Sequence, residues 1–157
     1  MIRILLVLFV AVWALPLAAQ DRHEGYYYPP VTSTETFDRS IRTLGGANKE
    51  VRVDFIQTIT QAQLAAPEAP KFLFFAKGEG AKSLIAVALD DDVFATLYRA
   101  RAVMAQMTVN VREGPFFVDQ NLQFVATFYD LLQILEFDTL VISDGKSWSH
   151  RVTFVRE

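Results

Sequence analysis

Hydrophobic positions in this chain open with one unbroken run and then return in short periodic groups. Ile4–Leu15 carries no polar side chain; Pro16 closes the run, and Leu17-Ala18-Ala19 leads into Gln20 and Asp21. Gln20–Val31 is interrupted by Pro29-Pro30, which forbid helix and favour an extended arm whose Tyr26, Tyr27 and Tyr28 alternate in direction. Phe37, Ile41 and Leu44 then recur at i, i+4 and i+7, and Gly45-Gly46 end that run. Thr32 stands three residues before Glu35, with Ser33 and Thr34 as further caps, so a helix is predicted from there to Leu44.

Val51–Leu64 admits two readings. Val51, Val53 and Phe55 alternate as in a strand, and Thr58 and Thr60 favour that state, while a helix also fits the segment. Ala65–Pro70 reads as a turn, Phe72–Phe75 as a strand, Gly78 and Gly80 as a second turn, and Leu84–Leu89 as a buried strand. With the strand reading of 51–64, these three form an antiparallel meander. Asp90-Asp91-Asp92 is predicted to open a long helix through Met107, with Phe94, Leu97, Met104 and Met107 on its apolar side. Phe116-Phe117-Val118 suggests a short extra strand after Gly114-Pro115. A second helix is predicted from Leu122 to Leu135, where Phe124 and Leu131 widen the stripe enough to imply cover on more than one face.

The last segment is a hairpin. Thr139–Ser143 is a strand, Asp144-Gly145 a tight turn and Ser147–Val155 the returning strand, with Trp148, His150, Val152 and Phe154 on one face. Strands, two helices and a hairpin together predict an α+β fold: a single domain over 32–157, with a largely antiparallel sheet carrying two or three helices on one face.

The opening run changes the picture of where this domain works. One positive charge at Arg3, an apolar core of about a dozen residues and a small-residue exit form the pattern of a cleavable signal peptide. A spanning helix needs roughly 18–20 apolar residues, more than this run supplies. Residues 1–19 are therefore read as a signal peptide, 20–31 as an arm, and the mature chain as periplasmic or secreted without a membrane span. With no cysteine in the chain, neither lipid attachment at a bacterial lipoprotein site nor a disulfide is available. The 157 residues less 19 leave 138, enough for one core, and with Arg3 gone 14 basic side chains face 18 acidic ones. That balance excludes the concentrated basic face a nucleic-acid partner requires.

Candidate chemistry is sparse. Asp90, Asp91 and Asp92 are the metal-site candidates, but neighbouring side chains cannot all reach one ion, and acids at a helix start serve equally as caps. His150, among apolar neighbours, is either a hydrogen-bonded buried imidazole or a catalytic or ligand residue. Ser147 and Ser149 lie near it without a G-x-S-x-G elbow. Arg99 and Arg101 point about 200° apart on the predicted helix, so one of them is expected on the core side with an acid or a ligand anion. Tyr26, Tyr27 and Tyr28 offer rigid contact area as a docking strip, or else strap the arm across the sheet. No cofactor is implied by these residues.

Glu24-Gly25-Tyr26-Tyr27-Tyr28-Pro29-Pro30, Phe75-Ala76-Lys77-Gly78, Ala88–Phe94, Leu97–Arg101 and Ser143-Asp144-Gly145 resemble a group of small exported alphaproteobacterial proteins. The resemblance covers most of the mature chain and implies export. Some members of that group carry the label molybdopterin-guanine dinucleotide biosynthesis protein A, a guanylyltransferase family with a glycine-rich nucleotide loop after its first strand. Leu44–Arg52 is the stretch here most like that loop, but it follows a predicted helix and lacks the later glycine. Two function classes follow. The preferred one is a non-enzymatic interaction or accessory module with a periplasmic protein or small ligand as partner. The alternative is a ligand-binding protein or enzyme of nucleotide or molybdenum-cofactor handling, using Asp90–Asp92, Arg99, Arg101 and His150.

Overall fold

The computed structural model describes residues 25–39 and 45–155. The C-terminal hairpin is its simplest element: β4 (Thr139–Ser143) and β5 (Ser149–Phe154) run antiparallel, pairing Ile142 with His150 and Leu140 with Val152. Asp144 shapes the turn by accepting backbone N–H bonds from Lys146, Ser147 and Trp148, and Gly145 takes the positive φ of 74° that the turn demands. A second antiparallel hairpin joins β2 (Phe72–Lys77) to β3 (Ser83–Ala88). Two parallel ladders complete the sheet: β3 beside β4, and β1 (Ser33–Phe37) beside β5. The order is β1-β5-β4-β3-β2 in one five-stranded sheet, and the molecule is an α+β domain.

Strand parity sorts the side chains. Phe74, Leu84, Ala86, Leu140, Ile142, Val152 and Phe154 face the helices and form one core with Phe94, Phe117, Phe128 and Phe137. The helices are α1 (Lys49–Ala65), α2 (Leu97–Arg112), α3 (Pro115–Asp119) and α4 (Phe128–Ile134).

Three predicted elements take another form. Ser33–Phe37 is a strand, because alternation of Ser33, Glu35 and Phe37 against Thr34 and Thr36 matches β5; Ile41 and Leu44 of the expected helix lie outside the described residues. Residues 51–64 are helical. Asn48 caps α1 by accepting from Val51 N–H, and the inward face is Arg52, Phe55, Ile56 and Ile59. Arg52 is the reason the period is hidden. A buried cation occupies an inner position, donating to the carbonyls of Ala47, Gly80 and Leu135. The meander of three strands is thus a hairpin of two preceded by a helix. Asp90–Asp92 lie in a turn, not at a helix start; α2 begins seven residues past Asp90, where Thr96 accepts from Arg99 N–H, and Phe94 plugs the core before it.

The stretch from 115 to 135 divides as well. Phe116–Val118 belong to α3, with Pro115 in its first turn. The expected helix from Leu122 is only α4, started by a capping box between Thr127 and Asp130. Phe124 is 83% exposed, the reverse of the cover expected for it, whereas Leu131 is buried.

The opposite face of the sheet is covered by the arm. Gly25–Tyr28 form a turn closed by Gly25 N–H on Tyr28 O, so the three tyrosines do not alternate along a strand; Tyr26 and Tyr27 meet edge to face at 4.7 Å. Tyr28 is buried against Ile85 and Val141, with Val31 and Val87 beside it. Ser149 Oγ donates to the carbonyls of Pro29 and Pro30, and Thr32 gives Ser149 O both its N–H and its hydroxyl. The arm is a strap. Tyr28→Ala is therefore expected to lower stability by about 3 kcal/mol through the cavity it leaves. Tyr26→Ala, at an exposed ring, should stay within about 0.5 kcal/mol. Urea unfolding of the two variants checks this, and equal midpoints would contradict the strap.

Candidate functional site

The parallel pairing of β1 with β5 delivers a small polar cluster to the helix side of the sheet. Ser33 stands opposite His150, and Glu35 stands opposite Val152. Glu35 is the hub. Its Oε2 accepts from Arg101 Nη2 at 2.8 Å, and its Oε1 lies 3.5 Å from His150 Nε2. The Tyr129 side chain, from α4, lies near this carboxylate and lines the same groove. His150 Nδ1 is 2.8 Å from Ser33 Oγ, and the Trp148 ring stacks on the imidazole at 6.2 Å with an interplanar angle of 10°.

Electrostatics follow this arrangement. Burial pushes the Glu35 carboxyl upward, but the Arg101 hydrogen bond, His150 and the Arg101 charge together hold it below its ordinary value. Burial, and then the neighbouring Glu35 charge, raise the Tyr129 phenol, so it remains a neutral donor.

Ser33, His150 and Glu35 have the composition of a nucleophile–base–acid set, and the Ser33–His150 distance suits proton transfer. Access decides against that chemistry. His150 is 2% exposed and stacked under Trp148, while Glu35 is already engaged by Arg101. A leaving group has no approach to the imidazole. The set works as a latch that pins edge strand β1 to β5 through side chains as well as backbone.

Beside the latch, an open groove of about 600 Å³ runs between β1 and α2. Its α2 wall is Arg101, Met104, Ala105, Thr108, Val109 and Arg112, spaced at the three- and four-residue intervals that share one helix face. Phe37, Thr127 and Tyr129 contribute the facing side. The volume falls within the range of about 300–1,000 Å³ usual for small-molecule sites. Arg112 is steered by its Nε–H bond to Ala126 O at 2.8 Å.

The residues singled out from sequence go to separate places. Arg101 and His150 meet at Glu35. Arg99 instead pairs with Asp92 at 2.7 Å, and Asp91 pairs with Lys146 on the last hairpin. Neither arginine reaches the core side, because the buried stripe of α2 is Ala100, Met104 and Met107, and Arg99 and Arg101 flank Ala100 at about 100° on either side. Among the described residues, no three His, Asp or Glu side chains are grouped so as to hold a metal ion. Asp144 is occupied as a turn acceptor and Ser149 as a strap donor. Tyr26 and Tyr27 border a shallow hollow with Gly145 and Lys146. Sequence reasoning missed Ser33, Glu35, Tyr129 and Arg112. The period-two alternation Ser33-Glu35-Phe37 was the available signal, masked by the resemblance of Thr32–Glu35 to a capping box.

Fold and site together define an α+β domain with an open groove beside a buried polar latch. Comparison with known proteins finds no family model, no curated protein and no solved structure that matches the chain.

The Glu35 carboxyl is depressed from its ordinary 4.5 in the folded chain. Its ionised form therefore stabilises the fold above that value, and the contribution disappears as pH falls through the lowered one. Glu35→Gln should be less stable than the parent at pH 7, with the difference narrowing as pH falls below 4.5. Urea midpoints over a series of falling pH values measure it; an unchanged gap throughout would show that the carboxylate charge is not its source.

Proposed function

We propose that this protein is an exported, non-enzymatic binding module of the periplasm, and that the groove between β1 and α2 is its contact surface. The observation that carries the reading is the groove itself: an apolar lining from Phe37, Met104, Ala105 and Val109 with oriented polar groups at its rim. Its side chains are held from behind by the latch and by Ala126 O, so the surface is organised without a ligand. Export rests on the signal-peptide pattern of residues 1–19, outside the described residues, and on the resemblance to exported alphaproteobacterial proteins. The tyrosine arm has a smaller part than its composition suggests, since Tyr28 is spent on the core.

The alternative, nucleotide or molybdenum-cofactor handling, requires Asp90–Asp92, Arg99, Arg101 and His150 around one pocket. The Asp92–Arg99 and Asp91–Lys146 pairs are separate from the Glu35 cluster, which favours the binding module. Leu44 of the loop likened to a guanylyltransferase motif lies outside the described residues, and Lys49–Arg52 are the first turn of α1.

Two measurements test the two halves of the proposal. Cell fractionation in the native host with intact mass should recover a periplasmic species lacking about residues 1–19; a full-length cytoplasmic species would overturn export. The neutral dye Nile red should bind the mature domain one to one. Ala105→Trp, which fills the groove, should weaken that binding roughly tenfold or more, while Tyr26→Ala leaves it unchanged. Equal affinities for the parent and Ala105→Trp would remove the groove as the contact surface.

A further inference from the structure

The two ends of the groove differ in charge, and we infer that its occupant is a free single-chain amphiphile with one anionic head, the head seated at Arg112. The inference rests on the groove reading and names its ligand class. Arg101 and Arg112 are eleven residues apart on α2, about 16 Å along the axis, and eleven steps of 100° return to within about 20° of the same face. Between them the helix offers Met104, Ala105 and Val109. The Thr108 hydroxyl is turned to its own helix and to α4, donating to Met104 O and accepting from Phe128 N–H, so it adds no polar demand on a ligand. Phe37 and Tyr129 complete the apolar course.

At one end, Arg101 is neutralised by Glu35 at 2.8 Å. At the other, Arg112 is held only through Nε by the neutral Ala126 carbonyl, and among the described residues no carboxylate pairs with it. Asp130, the buried acid of α4, accepts through Oδ2 from Arg39 Nη1 at 2.7 Å and from the N–H and hydroxyl of Thr127, and no ion pair joins it to Arg112. Among the described residues, Arg112 therefore presents a planar guanidinium without a paired carboxylate at the end of the apolar groove. A carboxylate or sulfonate accepts from such a group through two parallel N–H bonds, which a neutral or cationic head cannot do. A free molecule is favoured over a lipid surface because the mature chain, with 14 basic against 18 acidic side chains, is net negative, which opposes approach to an anionic membrane.

Displacement of Nile red at pH 8 by dodecanoate, dodecanol and dodecyltrimethylammonium tests the inference on the mature domain. Dodecanoate should displace the dye at a concentration roughly tenfold or more below dodecanol, with the cationic chain weakest. Arg112→Gln should bring dodecanoate to the level of dodecanol and leave dodecanol unchanged. Arg112→Lys, which keeps the charge, should retain most of the preference, and circular dichroism verifies that both variants fold. Equal potency of dodecanoate and dodecanol on the parent would overturn the anionic head while leaving the groove in place. Failure of Nile red to bind, or its indifference to Ala105→Trp, would remove the groove and this inference together. Co-sedimentation with phosphatidylglycerol vesicles that Arg112→Gln abolishes would assign the arginine to a membrane surface and overturn the free amphiphile.

Discussion

The parallel register of β1 on β5 is the constraint on which the groove depends. With Ser33 opposite His150 and Glu35 opposite Val152, the carboxylate projects on the helix side of the sheet, within reach of Arg101 and Tyr129. A slip of one residue would turn Ser33, Glu35 and Phe37 to the other face and put Thr34 and Thr36 in their place. The groove would then lose its polar rim and the ring of Phe37 at once. Side chains reinforce the backbone ladder against that slip: Ser33 bonds His150, and Phe37 packs edge to face on Phe154 and Tyr129. An edge strand held this way is anchored by its inward polar groups.

The same strand begins where the strap ends, so the two faces of the sheet are coupled through a few residues. Ser149 shows the coupling directly. Its hydroxyl holds the Pro29 and Pro30 carbonyls, its own carbonyl holds Thr32, and its neighbour His150 holds Ser33 on the opposite face. The arm thus sets the entry of β1, and β1 sets the groove. Tyr28 contributes the apolar part by covering Ile85 and Val141, which the helices leave bare. Polar groups bind the helix layer in a similar manner. Arg52 ties α1 to three loop carbonyls, and Asp130 ties α4 to Thr127 and Arg39. A buried cation or carboxylate is tolerated only with such partners, and removing any of them would leave a costly orphan group.

Local pattern and tertiary contact divide the determination of this molecule along a clear line. The sequence by itself determined the α+β class, the β2–β3 and β4–β5 hairpins, the Asp144-Gly145 turn and the inward face of β5, because each rests on near-neighbour periodicity and turn chemistry. Only the tertiary structure decided that 33–37 is a strand, since a parallel edge strand has its partner more than a hundred residues away and no local turn to announce it. It likewise decided that 51–64 is helical, because the cation on the inner face of α1 finds its acceptors in distant loops. The groove belongs to the same class of fact: its lining comes from β1, α2 and α4, and an ion pair joining residues 35 and 101 has no signature in the spacing of either.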